Sequence, residues 1–367
     1  MSFSCDIAII GAGMAGASLA AALVAHEVSG RILMLEGEDR PGYHATGRSA
    51  AFWHETYGGP GVQPLSQASG PALWDLGVLH KRRGLTLARK GQEAELHAFV
   101  ARFAALGVRI SVADRAVITH YIPGLSPDYV LGALEEDCCD IDVAALHQHY
   151  LAEARQGGVE LLCDARVAGV VRGGEGWALT LADGRSISAR LIVNAAGAWA
   201  DQLAVMAGAA PLGITPYRRT MIQARVDPAP SDSLPLVLDL DESFYFKPES
   251  GRLWLTPHDE TPTPPCDAAP EEIDVALGID RLEKIVDWQV ERIEHRWAGL
   301  RSFAPDRLPV YGFDADVPGF FWCAGQGGFG IQTAPAGSDL AARLLLGLEV
   351  GAVSPEAYRP GRFLRED

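Results

Sequence analysis

The sequence predicts an α/β fold: a Rossmann-like, mostly parallel sheet, joined to a second α+β part built on an antiparallel sheet. Three features near the N-terminus carry the first half of that expectation. An apolar strand, Ile7 to Ile10, runs into Gly11-Ala12-Gly13-Met14-Ala15-Gly16. An alanine-rich helix follows, and a second apolar strand, Ile32 to Leu35, ends on Glu36. Gly11 makes the tight turn, Gly13 lets the backbone approach a pyrophosphate, and Gly16 allows the helix to pack closely on the strand. The helix start, Met14 and Ala15, offers free N–H groups and partial positive charge to phosphate. Glu36 lies 20 residues past Gly16, where a carboxylate can hydrogen-bond ribose hydroxyls. A glycine-rich turn alone says little; between strand and helix, with the acid in place, it predicts a bound dinucleotide.

At 367 residues, 48% of them hydrophobic, the chain is long enough for two domains and a sizeable core. The net charge of -16 argues against nucleic acid and anionic membrane as partners, since both demand a basic face. Six cysteines at irregular spacing form neither a metal motif nor a disulfide framework, so reduced thiols in a cytoplasm are expected. Asp6 and Glu27 interrupt the apolar N-terminus, which carries no basic segment; it reads as part of the fold and not as a signal peptide. No charge-free apolar run is long enough to predict a membrane span.

Further along, helical patterns occupy Gln63–Leu79, Gln92–Leu106 and Val143–Gln156, the last introduced by Asp140 or Asp142 as N-cap. Strands are expected at Glu160–Cys163, Ala165–Arg172, Gly176–Leu181 and Arg185–Ile187, with Ala182-Asp183-Gly184-Arg185 as a hairpin turn. Another apolar strand starts at Leu191 and enters the small-residue turn Ala195–Gly197. Pro, Asp and Ser crowd Asp227–Pro235 and Pro257–Pro270, which read as surface loops between antiparallel strands. Near the C-terminus, Gly319–Ala324 reads as a strand, Gly325–Gly330 as a second glycine-rich turn and Ile331–Leu346 as a helix. Gly347–Asp367 shows no partner strand, so this is not a second nucleotide unit. One nucleotide motif and one sheet-terminal glycine turn favour FAD over NAD, with the last helix start facing the flavin pyrimidine edge.

Several long blocks then become specific: PGYHATGRSAA (41–51), DIDVAALHQHYL (140–151), VNAAGAWAD (193–201), LDLDESFYFKP (238–248), EHRWAGLRSFAPD (294–306) and FFWCAGQGGFGIQT (320–333). With them the chain resembles the FAD-dependent D-amino acid oxidase and dehydrogenase superfamily, most of all its bacterial D-arginine dehydrogenases. The resemblance implies a glutathione-reductase-type FAD domain from residues 1–78, 136–205 and 305–367, and a substrate domain from 79–135 and 206–304. It implies non-covalent FAD held by Gly11, Gly13, Met14, Ala15, Gly16 and Glu36, by Thr46, Arg48, Ser49, Ala50 and Ala51 of a wrapping loop, and by Val167, Ala196, Gly197 and Trp199. Arg301, Gly327, Gly328, Gly330, Ile331, Gln332 and Thr333 complete that set, the last two at the pyrimidine edge. For the substrate it implies Arg219 and Arg301 on the carboxylate, Tyr57 and Tyr245 beside it, and the carbonyl of Gly328 facing the amine. Guanidinium suits the task because its planar fork makes paired, charge-assisted bonds to carboxylate.

Each assignment has a plainer rival. An isolated arginine is usually a surface residue; Arg218 competes with Arg219, since one residue of register exchanges the faces. Tyr245 could be a core aromatic, and Glu242 a strand-edge charge. The ten histidines show no metal spacing, so no metal is expected. The family's acid for a guanidinium-bearing substrate falls at Gly84, within Leu79-His80-Lys81-Arg82-Arg83-Gly84-Leu85, and Phe52 and His54 replace the family's pocket histidine and threonine. A preference other than arginine is therefore expected, although His80–Arg83 also reads as a solvated turn.

The implied chemistry is oxidation of a free D-amino acid to the imino acid by hydride transfer to flavin N5, followed by hydrolysis to 2-oxo acid and ammonia. The electron acceptor, quinone-like or O2, stays open, as does monomer against homodimer. Two enzyme alternatives share the scaffold: a 2-hydroxy acid oxidoreductase, with His54 as the nearby base, and a secondary-amine or glycine-type oxidoreductase. A non-catalytic flavin-bearing subunit of a complex is the third.

Overall fold

The computed structural model of the chain describes residues 2–174 and 176–363. The N-terminal pattern folds as read: strand Ser2–Ile10, helix Met14–Ala25, then strand Ile32–Leu35 parallel to the first. Ala8, Ile9, Leu33 and Leu19 are fully buried, which is why this strand-helix-strand stretch lacks polar alternation. The sheet continues on both sides. Its order is Val167–Gly173, Gly176–Leu181, Ser186–Asn194, Ser2–Ile10, Ile32–Leu35, Glu160–Leu162, with Phe320–Ala324 parallel to Ser186–Asn194 and Val310–Phe313 antiparallel beyond it. The hairpin turn at 182–185 is present, with Gly184 at a φ of 85°. The two strands expected after it are one: Ser186–Asn194 pairs Gly176–Leu181 with its first half and Phe320–Ala324 with its second. A strand that changes partners midway carries no turn residues in between, although its composition shifts from polar to apolar.

A nine-stranded, mainly antiparallel sheet forms the other half, ordered Thr261–Pro262, Thr215–Asp227, Arg252–Thr256, Tyr245–Glu249, Leu236–Asp239, Gly84–Arg89, Tyr129–Glu135, Ile110–Ala113, with Gln289–Phe303 along Thr215–Asp227. Helix Glu272–Ile285 packs across this sheet, close enough at Gly278 that a Cβ there would lie 2.6 Å from Ile222 Cδ1. A small sheet, Phe52–Trp53, Cys139–Ile141 and Leu79–Lys81, is a third, separate set of strands. The last long helix spans Ala334–Leu346, not Ile331–Leu346, because residues 331–333 form a turn closed by Thr333 N–H on the Phe329 carbonyl (3.1 Å). No strand follows it among the described residues; residues 364–367 lie outside them.

Of the two N-cap candidates for helix Val143–Gln156, Asp142 is the cap: its carboxylate accepts from Ala145 N–H at 2.9 Å. Asp140 instead pairs with Arg82 and, at 2.8 Å, Lys247. Asp142→Ala is expected to lower stability by about 1 kcal/mol. Denaturant titration checks this, and an unchanged midpoint would contradict the assignment.

Candidate active site

The carboxyl ends of three parallel strands stop at one level, Ile10, Leu35 and Asn194, and a fourth runs two residues further to Ala324. In open α/β sheets that edge is where ligands bind. Here it opens into a cleft of about 1390 Å³, part of it solvent, bounded by Gly11, Glu36, Ala195 and Gln326 just past those ends. The antiparallel sheet closes it with Arg219, Met221, Tyr245 and Arg301.

The dinucleotide end is shaped by what its glycines exclude. A Cβ on Gly11, at φ 103°, would stand 2.4 Å from the Ala195 carbonyl oxygen. One on Gly16 would stand 1.9 Å from the Gly11 carbonyl oxygen, so Gly16 packs helix on strand and does not itself line the cleft. Glu36 accepts from Ala12 N–H (3.0 Å) with one oxygen and from Glu38 N–H (3.1 Å) with the other. It is thereby fixed at the cleft wall. Thr46 Oγ1 accepts Met14 N–H at 2.9 Å and so ties the 41–51 loop to the helix start. This combination of a glycine-walled backbone, a helix N-terminus at the cleft and a braced acid fits an ADP moiety.

The other end is cationic. Register pairs Arg219 with Gly299 and Tyr217 with Arg301, which places Arg219 and Arg301 as diagonal neighbours on one face of a two-strand ladder. Arg218 is on the opposite face, bound to Glu271 and, at 2.9 Å, to Asp274 of the helix behind. The competition between neighbours is thus settled by register: Arg219 lines the cleft and Arg218 does not. Arg219 is 3% exposed. Its Nε donates to the Asp259 carbonyl (2.9 Å) and its Nη2 to Glu260 (3.1 Å), while Nη1 is buried with no partner. Arg301 donates from Nη1 to the Tyr57 hydroxyl oxygen at 2.7 Å and makes no ion pair with a carboxylate among the described residues. Burial and the nearby Arg301 charge pull Arg219 down to about 10, still charged at neutral pH. Tyr245 spends its hydroxyl proton on Met221 Sδ at 3.2 Å, a weak acceptor that a carboxylate oxygen outcompetes. Gly328 lies flat against Arg301, where a Cβ would come within 2.9 Å of Cζ.

Gly11, Gly13, Met14, Ala15, Glu36, Thr46, Arg48, Ser49, Ala50, Ala196, Gly197, Trp199, Gly327, Gly328, Gly330 and Ile331 line the same cleft. Six expected residues do not. Gly16 is under the helix, Ala51 packs against the cluster of Met14 and Trp53, and Val167 belongs to the strand paired with Leu181. Tyr57 stands one layer back, behind the Arg301 guanidinium. Gln332, 2% exposed, is consumed by the Tyr57 carbonyl, Ser66 Oγ and His54 N–H. Thr333 is fully buried and donates to the Phe329 carbonyl. Both were expected at the pyrimidine edge; the turn after Ile331 directs them into the protein instead. Residues 257–270 are more than a surface loop. Cys266 and Ala268 line the cleft, and Arg48 ties the segment down through Asp267 and the Ala268 carbonyl (2.8 Å). Met221 and Cys266 were missed because neither type nor spacing marks them.

The basic run at 80–83 is spent on ion pairs away from the cleft: Arg83 pairs with Glu136 at 2.9 Å on the surface, and Arg82 with Asp140 in a partly buried pair. Gly84 lies under His54, whose Nε2 would be 2.1 Å from a Cβ at that position. His54 is itself 2% exposed, bound through Nδ1 to Thr56 Oγ1 at 2.9 Å, and pushed down to about 3 by burial. A group so placed cannot reach the cleft as a base. His258, missed in the sequence, is held well below its ordinary range by burial and by Arg219, Arg301, Arg307 and Arg281. No cluster of His, Cys, Asp or Glu that could hold a metal occurs among the described residues, and no helix there is long and apolar enough to cross a membrane.

Two buried carboxyls, Glu55 and Glu135, are each pushed up to about 7, chiefly by burial. Between the ordinary value of 4.5 and about 7 the folded chain binds more protons than the unfolded one. Their contribution to stability is therefore complete below that window, falls as pH rises through it, and is flat above. Glu55→Gln removes one share. It is expected to gain up to about 3 kcal/mol over wild type at about pH 8 relative to about pH 5. Parallel stability curves across that range would contradict it.

The chain belongs to the FAD dependent oxidoreductase family DAO, whose model matches residues 6–344. It is an FAD-dependent oxidoreductase, and FAD fits the cleft described above. Hydrogen cyanide synthase subunit HcnC of Pseudomonas aeruginosa is 28% identical over 271 residues, covering 72% of this chain and 63% of that protein, less than two thirds of its length. Glycine oxidase from Geobacillus kaustophilus superposes with a TM-score of 0.84 at 23% identity, over 98% of this chain and 99% of that one. L-proline dehydrogenase from P. horikoshii gives 0.85 at 20% identity, over 99% and 98%. These two likenesses establish the fold.

Proposed function

We propose that this flavoprotein oxidises a free amino acid at Cα, gripping the substrate by its carboxylate between Arg219 and Arg301. The observation that carries the reading is the buried, partnerless Nη1 of Arg219 beside an Arg301 that has no carboxylate partner among the described residues. A buried donor left unsatisfied costs about 1–3 kcal/mol, more when charged, and an incoming carboxylate removes that cost. Bound FAD supplies the two-electron acceptor.

The residues do the rest by placement. Arg219 and Arg301 fix the carboxylate, Tyr245 turns its hydroxyl from Met221 to the same anion, and the Gly328 carbonyl receives an amine N–H. Two anchored ends leave the Cα–H one direction, which makes the redox step effectively unimolecular. No side chain is needed as base if the amine arrives unprotonated, so the rate falls as pH drops below the bound amine's pKa. The product imino acid hydrolyses to a 2-oxo acid and ammonia. The D configuration follows from the family resemblance.

Side-chain preference follows from what the cleft lacks. Glu36 is its only lining carboxylate among the described residues, and it is braced at the dinucleotide end. A cationic side chain would find no counter-charge beside the arginines, so neutral side chains are preferred over arginine. A second reading, glycine or a small secondary amine, is supported by the likeness to glycine oxidases.

Anaerobic mixing with D- and L-amino acids, glycine, sarcosine and 2-hydroxy acids, followed by flavin absorbance, tests this directly. Bleaching by neutral D-amino acids, and weakly or not at all by D-arginine, is expected. Bleaching by glycine and sarcosine alone selects the second reading. Bleaching by hydroxy acids only, or by nothing, overturns both. In Arg219→Met or Arg301→Met, kcat/KM is expected to fall by about 10- to 100-fold or more, the scale of a lost charge-assisted bond.

A further inference from the structure

Behind the carboxylate grip, the backbone turn that carries Tyr57 is clamped by a glutamate that never meets the cleft. Glu135 ends the strand Tyr129–Glu135 and is 1% exposed. One of its oxygens accepts Glu55 N–H at 2.7 Å; the other accepts Thr56 N–H at 3.4 Å and lies 3.5 Å from His54 Nε2. His54 Nδ1 and Thr56 Oγ1 lie 2.9 Å apart, a bond either can donate. Two backbone N–H donors therefore converge on one carboxyl group. The ladder of strand Phe52–Trp53 has ended by this point, so beyond one backbone bond, Tyr57 N–H to the His54 carbonyl at 3.1 Å, residues 54–57 are held by side chains. Gln332 grips the same segment from the opposite side, at His54 N–H (3.2 Å) and the Tyr57 carbonyl (3.3 Å). The output of the turn is one contact, Tyr57 hydroxyl to Arg301 Nη1 at 2.7 Å.

We propose that Glu135 is a positioning residue for substrate recognition: it fixes the 54–57 turn so that Tyr57 aims the Arg301 guanidinium at the substrate carboxylate. This rests on the reading that Arg301 receives a carboxylate. Above the value near 7 where Glu135 ionises, its two oxygens serve the two backbone donors as acceptors only. An amide would turn N–H against one of the convergent donors, and an apolar side chain would strand two backbone N–H groups. A carboxylate held among apolar neighbours is costly unless its lone pairs are used, and here they are used on the one turn that supports Arg301.

The test uses the FAD-loaded protein, at a pH above the value near 7 where Glu135 ionises. Acetate is titrated against acetamide, its uncharged counterpart, and followed by perturbation of the flavin spectrum. Glu135→Gln is expected to weaken acetate binding about 10-fold, with acetamide unchanged. KM for the bleaching substrate should rise with it while the limiting rate of bleaching changes little. Tyr57→Phe should weaken acetate similarly, and adding Glu135→Gln to it should add nothing, because the glutamate acts through the tyrosine. Wild-type acetate affinity in Glu135→Gln, or losses that add in the double variant, overturns the proposal. A purely structural glutamate would lower the melting temperature and leave acetate affinity alone. Should Glu135→Gln yield no folded flavoprotein, Glu135→Asp enters the same cycle with the same two readings. Arg301→Met separates the levels. If it binds acetate like wild type, the carboxylate grip itself is wrong; if it loses acetate while Glu135→Gln keeps it, only the positioning role falls.

Discussion

Two guanidinium groups held side by side out of water are the constraint on which this molecule turns. Like charges at such range repel, and burial removes the water that would screen them. The surroundings offset this only in part. Asp259 offers Arg219 a carbonyl and spends its carboxylate on Thr220, at 2.7 Å to N–H and 3.0 Å to Oγ1. Glu260 is divided between Arg219 and Arg307. Arg301 has only a neutral tyrosine. By contrast Arg218, one residue away on the other face, is fully paired with acids. The fold can neutralise a buried arginine where it needs to, and at the cleft it does so incompletely.

The two halves of the molecule meet at that charge. The parallel sheet ends in turns whose glycines and helix start form the cradle for FAD. The antiparallel ladder of Thr215–Asp227 with Gln289–Phe303 carries the arginines to its far end. Gly328 belongs to the first half and touches Arg301 of the second. Gln332, four residues on, ties the same turn to the Tyr57 segment. Cofactor wall and carboxylate grip are therefore mechanically one unit.

The dinucleotide end was legible in the sequence because its determinants are local: glycine spacing, an apolar strand on each side, one acid at the right distance. The cationic end was legible only through family resemblance. Which of Arg218 and Arg219 faces the cleft depends on pairing with a strand far along the chain, and no local pattern reports register. Gln332 was misplaced because a turn of three residues precedes the last helix, and composition does not show where a helix begins after a glycine run. The 257–270 segment reads as surface because it is rich in proline and polar residues, yet Arg48 draws it over the cleft. Helix Glu272–Ile285 gave no sequence signal: Gly278 interrupts it and its first turn is acidic, although Val275, Leu282 and Ile285 are buried. The basic run before Leu85 read either as a specificity feature or as a solvated turn, and Arg82 and Arg83 there form ion pairs away from the cleft.

A crystal structure of the FAD-loaded protein with a monocarboxylate bound is the most direct test of the account. The carboxylate oxygens should lie within about 3 Å of Arg219 Nη1 and the Arg301 guanidinium, with the Tyr245 hydroxyl turned from Met221 toward the anion. A carboxylate seated elsewhere in the cleft, or Arg219 Nη1 still unpartnered with the ligand bound, would contradict it.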